Sequence, residues 1–304
     1  MAKSVKVRVP GTTANCGPGF DAIGIACTIY NEMTLTLSDD GKCLISITGE
    51  GEGLIPSNDK NVAFQAVRLV LERLNQPYTG IRINMHNFVP LARGLGSSAA
   101  AIVAGLVAAN AVTGNQLTRE DILDMATSME GHPDNVAPAI FGGITVSIMN
   151  GNKPYSLKFM PAFDLKMVVA IPDFTLSTRA ARQVLPQEVL FQDAIFNVSR
   201  SALLIAALCE GRTEFLKYAL EDRLHQPYRQ KLIPGMADVL KAAVSQGAFG
   251  ATLSGAGPCL IAYTKNNETE IGEAMVRTFA SHNISARFIA LNIDSEGAKV
   301  IDIS

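Results

Sequence analysis

The sequence lacks the features that mark several large classes of protein. Its 26 basic and 28 acidic residues nearly cancel, leaving a net charge of −2, so no basic excess points to nucleic acid or an anionic membrane surface. The longest apolar run, Ala99 to Ala109, falls far short of the roughly 20 residues that a membrane span needs. The amino terminus has no apolar signal core. We expect a cytoplasmic protein with a small-molecule ligand and no nucleic-acid or membrane partner.

The sequence also has little that could form a disulfide framework or a zinc site. Its five cysteines are odd in number, and no two are spaced as Cys-x-x-Cys. Repeats, low-complexity tracts and long charge runs are missing as well. At about 150 residues per domain, the 304 residues suggest two domains or one large one.

Alternating apolar residues predict strands in the first half of the chain. Val5, Val7 and Val9 alternate with basic residues, which predicts a strand that runs into a long loop over 11–19, rich in Gly, Asn and Pro. The same reasoning predicts further strands over 33–37, 44–47 and 81–85, and helices over 62–74 and 97–113.

A further helix is predicted from its end signals. Thr118 and Asp121 form a loose capping box at its start. We expect this helix to stop at Gly131, because Pro133 cannot continue it.

In the second half of the chain, the residue pattern predicts a strand, helices, strands, a helix and a strand in that order. This order is typical of an α+β sandwich. Gly151, Asn152, Pro154 and Pro161 interrupt the periodicity between the halves. We therefore predict a domain over 1–155 and another over 156–304. The expected elements are strands over 165–172, 250–263 and 286–293, and helices over 187–225, 235–246 and 268–282.

The stretch RGLGSSAAAIVAGL, Arg93 to Leu106, places two glycines and two serines before a helix. The first turn of a helix offers free backbone N–H groups and a positive dipole end, which suit a phosphate. We expect Gly94 and Gly96 to let the backbone approach that phosphate. Glycines and serines that only turn the chain and cap a buried helix are the alternative.

Two known nucleotide-binding motifs fit this stretch poorly. A Walker loop needs Gly-Lys-Ser/Thr, which does not occur here. Gly94, Gly96 and Ala99 do satisfy the dinucleotide pattern G-x-G-x-x-A, with Glu120 about 20 residues on. Glu120 falls inside a predicted helix rather than at the end of a strand. A dinucleotide-dependent oxidoreductase therefore remains a minor alternative.

Other polar clusters are candidate site residues. Glu130 lies in the last turn of its helix, where the dipole disfavours an anion, so a nearby cation is plausible. Two arginines and one aspartate match the carboxylate and ammonium of a free amino acid. Each cluster also has a structural alternative as a turn or a solvated surface. The candidates are Asn15, Asp21, Glu130, His132, Asn135, Thr178, Arg182 and Arg229, together with the small-residue turn at 254–257.

Five stretches in combination resemble the homoserine kinases, which are members of the GHMP kinase superfamily alongside mevalonate and galactose kinases. The resemblance covers nearly the whole chain, and EGHPDNVAPA and STRAAR are its more specific parts. The remaining stretches are PGTTANCGPGFDAIG, PLARGLGSSAAA and GATLSGAGP.

The resemblance implies a fold and a reaction. The fold has an N-terminal domain with a left-handed βαβ crossover, contrary to the usual hand, and a ferredoxin-like C-terminal domain, with the site between them. The reaction transfers the γ-phosphoryl group of ATP to the side-chain hydroxyl of L-homoserine, with Mg²⁺, on the route to threonine. The sequence leaves the oligomeric state open, with a homodimer as one arrangement.

The resemblance also implies roles for residues. Ser98 and Glu130 supply oxygens to Mg²⁺. Asn15, Asp21, His132 and Asn135 surround the hydroxyl and ammonium of homoserine, and Thr178, Arg182 and Arg229 lie nearer its carboxylate. Asn15, Ser98, Glu130 and Asn135 are the catalytic set. Separately from the resemblance, we assign Asn61 and Val62, which precede the first long helix, to the adenine. The phosphates are enclosed by Pro90, Leu91, Ala92, Arg93, Gly94, Leu95, Gly96, Ser97, Ser98, Ala99, Ala100 and Ala101.

Some superfamily members use an aspartate as the base, and Asp134 is the comparable residue here. Phosphoryl transfer through a loose transition state depends mainly on alignment and charge neutralisation. We therefore expect Asp134 to orient its loop while Asn15 and the metal site position the nucleophile. A mevalonate-type kinase and a non-catalytic ATP-binding sensor of the same fold remain as alternatives.

Overall fold

The computed structural model describes residues 3–303, which form two β-sheets with helices packed against them. The strands are Lys3–Ala14 (β1), Ile23–Ser38 (β2), Cys43–Gly49 (β3), Gly80–Asn87 (β4), Ile144–Asn150 (β5), Lys153–Phe159 (β6), Lys166–Pro172 (β7), Gly250–Leu253 (β8), Leu260–Thr264 (β9), Ala286–Asn292 (β10) and Lys299–Ile303 (β11). The helices are Val62–Arg73 (α1), Ser97–Val112 (α2), Arg119–Glu130 (α3), Pro133–Phe141 (α4), Thr178–Gln183 (α5), Phe191–Glu210 (α6), Leu216–Ala219 (α7), Gln226–Arg229 (α8), Met236–Ser245 (α9) and Glu268–Ser281 (α10).

The first sheet has seven strands, with β11-β1-β2-β4-β3 as its main order and the β5–β6 hairpin attached to β2. β3 and β4 pair in parallel through α1, which gives a βαβ unit. Val5, Val7 and Val9 face a core shared with the helices. The alternation of apolar and basic residues therefore corresponds to a strand with one buried face.

Helix α2 lies at the centre of the first core. It is alanine-rich and buried nearly all round, because it packs on β1 and β2 and against α1, α3 and α4. A helix that is apolar on every side is buried on every side. Its beginning is consequently held in place on several sides.

The second sheet has the order β10-β7-β9-β8, with all its pairs antiparallel. Numbered along the chain, this order is 4-1-3-2, the arrangement of a ferredoxin-like β-α-β-β-α-β unit. Met167 and Val169 of β7 face one core, whereas Val168 and Ala170 face another. Burial on both faces explains the unbroken apolar run of this strand. The predicted α+β class with a ferredoxin-like second half is confirmed.

Several elements differ from the sequence predictions. β1 continues to Ala14 instead of ending before Gly11, since 11–14 pair with β2 after a bulge. Helix α4 was not predicted, although Pro133 suits its first turn. The glycine at 151 lies in the turn of a hairpin, because β6 pairs with β5.

The chain ends in the first sheet rather than in the second. β11 pairs with β1, so the last strand returns from the second half of the sequence. The division at 155/156 stays a prediction; strand pairing extends the first sheet to Phe159 and adds β11 to it. Within residues 3–303, no helix combines the length and the apolar character that a membrane crossing requires.

Candidate active site

A cavity of about 400 Å³ opens between the two sheets, where the loop after β1, the start of α2, the end of α3 and the β8–β9 turn meet. Most of the site residues predicted from the sequence line this cavity. Its lining includes Asn15, Asp21, Asn61, Ser98, Glu130, His132, Asn135, Thr178, Arg182 and Arg229.

The beginning of helix α2 faces the cavity without a side-chain cap. Gly96 is the N-cap in a left-handed conformation, and the first backbone bond of the helix runs from Ala100 N–H to the Gly96 carbonyl. Within the described chain, the N–H groups of Ser97, Ser98 and Ala99 have no backbone acceptor. Free N–H groups at the positive end of a sixteen-residue helix suit an anion.

The two loop glycines are needed for a reason that differs from the prediction. Gly94 and Gly96 have φ of +80° and +67°. A Cβ on Gly94 would lie 2.1 Å from the Ser254 carbonyl oxygen, and one on Gly96 would lie 2.0 Å from Thr12 Oγ1. The glycines therefore permit a left-handed backbone and close packing against the protein itself. Whether a phosphate also needs them stays a prediction.

Ser98 and Glu130 meet at the edge of this anion site. Ser98 Oγ donates to Glu130 Oε2 over 3.0 Å, although the residues come from different helices. Burial raises the pKa of the Glu130 carboxyl, more than the Ser98 hydrogen bond lowers it. A desolvated carboxylate beside a hydroxyl oxygen is stabilised by a nearby cation. Two hard oxygen donors fit Mg²⁺, which keeps few protein ligands.

The start of helix α4 carries a hydrogen-bonded network. Asp134, which is buried, accepts hydrogen bonds from His132 Nδ1 and from Asn135 Nδ2, the latter over 3.3 Å. Thr12 Oγ1 donates to Asn135 Oδ1 over 2.9 Å. Burial alone lowers the pKa of His132, but the hydrogen bond and charge of Asp134 outweigh it and raise that pKa. Asp134 thus holds His132 and Asn135 in place.

The loop after β1 brings Asn15 and Asp21 to the cavity. Both have positive φ, which asparagine and aspartate tolerate better than most residues. Asn15 Nδ2 donates to the Gly255 carbonyl over 2.9 Å, and its Oδ1 accepts from the Asp21 N–H over 3.0 Å. The turn-forming interpretation and the cavity location hold together for both residues.

A bidentate ion pair crosses the cavity. Arg182 Nη1 and Nη2 donate to the two carboxylate oxygens of Asp21 over 3.1 and 2.8 Å. Thr178 lies one turn earlier on α5, whose N-cap is Ser177. The pair joins the first sheet's loop to a helix that follows the second sheet's first strand.

Arg229 is buried at the end of the same cavity. Its side chain donates to the carbonyls of Ala181 and Gly255 over 3.1 and 3.0 Å. Among residues 3–303 it makes no ion pair with a carboxylate. Burial, and then the charge of Arg182, lower the pKa of Arg229 to about 10. A buried cation without a partner charge is costly, so this end of the cavity suits an anionic group.

The predicted phosphate loop divides into two sets. The buried members Pro90, Leu95, Ala99 and Ala100 do not line the cavity in the described structure, because their side chains point into the protein. The members that do line it are Leu91, Ala92, Arg93, Gly94, Gly96, Ser97, Ser98 and Ala101.

Asn61 lines the cavity as the N-cap of α1. Its Oδ1 accepts from the N–H groups of Ala63 and Phe64, and its Nδ2 donates to the Pro56 carbonyl. These bonds give Asn61 a clear structural role. Contact with adenine stays a prediction for it.

Sequence reasoning missed the apolar side of the cavity. The segment before α1 and the end of β4 contribute most of it, and nothing in their spacing links them to the glycine loop. The residues that the sequence did not predict are Leu54, Ile55, Pro56 and Met85; Val62 and Leu91, which it did predict, complete this lining.

Sequence reasoning also missed Phe20 and the Gly255 carbonyl. The Phe20 ring lies 5.6 Å from the Arg182 guanidinium carbon and 5.1 Å from that of Arg229. Gly255 O accepts from both Asn15 and Arg229. The small-residue turn at 254–257 was the available signal for the second of these.

Both halves of the chain match models of the GHMP kinases. Residues 61–143 match the GHMP kinases N terminal domain, and residues 204–281 match the GHMP kinases C terminal model. A homoserine kinase of Moorella thermoacetica (strain ATCC 39073 / JCM 9320) is 45% identical over 295 residues, 97% of this chain and 99% of that protein. The chain belongs to the homoserine kinase family of GHMP kinases.

Other homoserine kinases are similar to this chain over nearly its whole length. A homoserine kinase of Microchaete diplosiphon is 44% identical, with 99% of each chain covered. The crystal structure of homoserine kinase from Cytophaga hutchinsonii ATCC 33406 superposes with a TM-score of 0.91 at 34% identity, covering 98% of this chain and 97% of that one.

A more distant kinase shares the fold. A mevalonate kinase of L. major in complex with R-mevalonate gives a TM-score of 0.69 at 18% identity, covering 93% of this chain and 95% of that one. At this identity the likeness concerns the fold alone.

Proposed function

We propose that the protein transfers the γ-phosphoryl group of ATP to the side-chain hydroxyl of L-homoserine and forms O-phospho-L-homoserine. Family membership supports the reaction, and the cavity supports the acceptor. Homoserine carries a carboxylate, an ammonium and a terminal hydroxyl. A matching cavity must therefore present charges of both signs near the anion site for the phosphates.

Arg229 carries the assignment of an amino-acid acceptor. Its guanidinium is buried and donates to two carbonyl oxygens, and it forms no ion pair with any carboxylate of residues 3–303. The substrate carboxylate supplies the missing charge. Arg182 lies against the same Phe20 ring as Arg229, and Thr178 is also in the cavity lining. Asp21 is the anion available to the ammonium. Mevalonate has a carboxylate but no ammonium, so Asp21 disfavours it.

The nucleotide occupies the other half of the cavity. Its phosphates lie against the free N–H groups of Ser97 and Ser98 at the positive end of α2. The apolar lining before α1 is suited to adenine. Asn87, which borders that lining, has a buried Oδ1 with no hydrogen-bond partner among the described residues. It is an acceptor available to the amino group of adenine.

Mg²⁺ fits the pair formed by Ser98 and Glu130. Both offer hard oxygens, and the half-buried Glu130 carboxylate gains from a neighbouring cation. Bound there, Mg²⁺ neutralises phosphate charge. Glu130 contributes the negative charge that holds the ion, and Ser98 contributes an oxygen directly at the start of α2.

The chain's own residues align the acceptor. Asn135, fixed by Thr12 and Asp134, and Asn15, fixed by Gly255, offer amide groups near the reacting hydroxyl. Alignment and charge neutralisation carry most of the catalysis in phosphoryl transfer. Asp134 already accepts from His132 and Asn135, which supports an orienting role over that of a base.

An Asp134→Asn variant separates these two roles. We expect kcat to fall by less than about tenfold, because the amide oxygen still accepts from His132 and alignment is largely retained. We also expect the pKa of His132 to fall, since the charge that raises it is removed. The pH–rate profile and the NMR titration of His132 measure the two effects. A loss of several orders of magnitude with an intact fold would make Asp134 the base.

The acceptor itself is tested by ADP release from Mg-ATP. We expect rapid turnover with L-homoserine and slow turnover with L-serine, L-threonine and mevalonate under identical conditions. Preference for mevalonate would retain the fold and phosphate site but remove the roles of Arg182 and Arg229. Binding of ATP with no turnover on any acceptor would favour a sensor.

Three broader expectations accompany this proposal. The reaction belongs to threonine biosynthesis, and the protein acts in the cytoplasm. A homodimer stays an open prediction.

A further inference from the structure

His225 is a fully buried histidine that lies behind the cavity rather than in its lining. Its Nε2 is 2.8 Å from the Gly17 carbonyl oxygen, and its Nδ1 is 3.3 Å from Arg229 Nη1. It therefore links the loop that carries Asp21 to the arginine that we assign to the substrate carboxylate.

The backbone of His225 is fixed by Asp222. One carboxylate oxygen of Asp222 accepts from the N–H groups of His225 and Gln226, over 3.1 and 2.7 Å. The other accepts from the Leu224 N–H and from Asn197 Nδ2, over 2.9 and 2.8 Å. Asp222 therefore anchors the turn before α8, and the same oxygen that accepts from the His225 N–H also lies 3.5 Å from the ring Nε2.

The partners of the ring settle its tautomer. A carbonyl oxygen can only accept, so Nε2 carries the hydrogen that goes to Gly17. A neutral ring then has a lone pair at Nδ1, which can accept from the Arg229 guanidinium. Burial lowers the pKa of His225 and so favours this neutral form. The ring also stacks on Phe20 at 5.0 Å, the residue that lies against both arginines.

The consequence concerns the free edge of Arg229. Its Nε is held by Ala181 O, and its Nη1 is held by Gly255 O and His225 Nδ1. Within residues 3–303, Nη2 has no acceptor. With the other two nitrogens fixed, Nη2 is the group left to meet an anion in the cavity.

We propose that His225, as its Nε2–H tautomer, is a positioning residue that orients the Arg229 guanidinium toward the carboxylate of the amino-acid substrate. This inference rests on the proposed function. It adds a residue that does not touch the substrate and acts only through Arg229.

Two substitutions separate the two ring nitrogens. In His225→Gln the amide can still donate to Gly17, but no acceptor remains opposite Arg229 Nη1. In His225→Asn the amide oxygen can replace Nδ1 as the acceptor, and the bond to Gly17 is lost. The probe is 3-amino-1-propanol, which is L-homoserine without its carboxylate.

For His225→Gln we expect the ratio of kcat/KM for L-homoserine to that for 3-amino-1-propanol to fall about tenfold. The change should lie in the KM for L-homoserine, with the KM for ATP unchanged. His225→Asn should restore most of the ratio. In the wild-type protein, the ¹⁵N chemical shifts of His225 should show the Nε2–H tautomer.

Asn110→Ala is the matched control. It removes two partly buried hydrogen bonds between Asn110 and Leu117, neither of which lines the cavity, and should lower stability without changing the substrate ratio. Equal losses on both substrates in His225→Gln, or an Nδ1–H tautomer in the wild type, would overturn the inference. Failure of the wild-type protein to phosphorylate homoserine would instead overturn the proposed function, and the NMR result remains interpretable in that case.

Discussion

Replacing Glu130 by glutamine is expected to lower kcat by about two to three orders of magnitude, the usual effect of removing one preorganised group that stabilises transition-state charge. Glutamine keeps the shape and can still accept from Ser98, so the fold should persist. What is lost is the negative charge that holds Mg²⁺. The KM for L-homoserine should change little, while the Mg²⁺ concentration needed for half-maximal rate should rise.

Asp124→Asn is the matched control for this prediction. Asp124 lies on the same helix α3 but is exposed to solvent, so its substitution should leave both kcat and the Mg²⁺ requirement unchanged. Steady-state rates over a range of Mg²⁺ concentrations measure the effect. A Glu130→Gln protein with normal kcat and normal Mg²⁺ dependence would remove Glu130 from the metal site.

Arg229→Gln is expected to lower kcat/KM for L-homoserine by about two to three orders of magnitude, as the loss of one side of a buried, hydrogen-bonded charge pair does. The substrate carboxylate then enters a desolvated end of the cavity without its guanidinium. Arg182 retains part of the attraction but is already paired with Asp21. The KM for ATP should stay close to its wild-type value.

The exposed Arg179 on helix α5 provides the control for charge. Arg179→Gln changes the net charge equally and should have no kinetic effect. Because Arg229 also supports two carbonyls, thermal unfolding of Arg229→Gln should be recorded in parallel. Equal losses in the affinities for homoserine and ATP would indicate general damage and contradict a specific carboxylate contact.

Local patterns predicted the elements that lead into the site. The alternation at 81–85, the apolar run after Ser97 and the Thr118–Asp121 capping box all gave elements found within a residue or two. Each of these signals lies within one element, where propensity and burial agree. They are also the elements that place the glycine loop and Glu130.

Long-range pairing could not be predicted in the same way. β11 joins β1 across almost the whole chain, and the segment 11–14 becomes a strand only because β2 lies beside it. Gly11 and Ala14, at the two ends of that segment, have weak strand signals of their own. The boundary residues around 151 had a turn signal that fits a hairpin as well as a linker.

The site divides in the same manner. Its charged residues could be named from motifs in the sequence, and the structure brings them into one cavity. The apolar lining, Phe20 and the His225 contact depend on how distant segments meet. The need for glycine at position 94 also depends on a distant segment, because a Cβ there would collide with the Ser254 carbonyl oxygen.

A crystal structure with L-homoserine and a non-hydrolysable ATP analogue would test these substrate contacts together. We expect the homoserine carboxylate within hydrogen-bond distance of Arg229, the ammonium beside Asp21, and the hydroxyl directed toward the terminal phosphate at the start of α2. Homoserine bound with its carboxylate away from Arg229, or phosphates bound away from Ser97 and Ser98, would contradict these expectations.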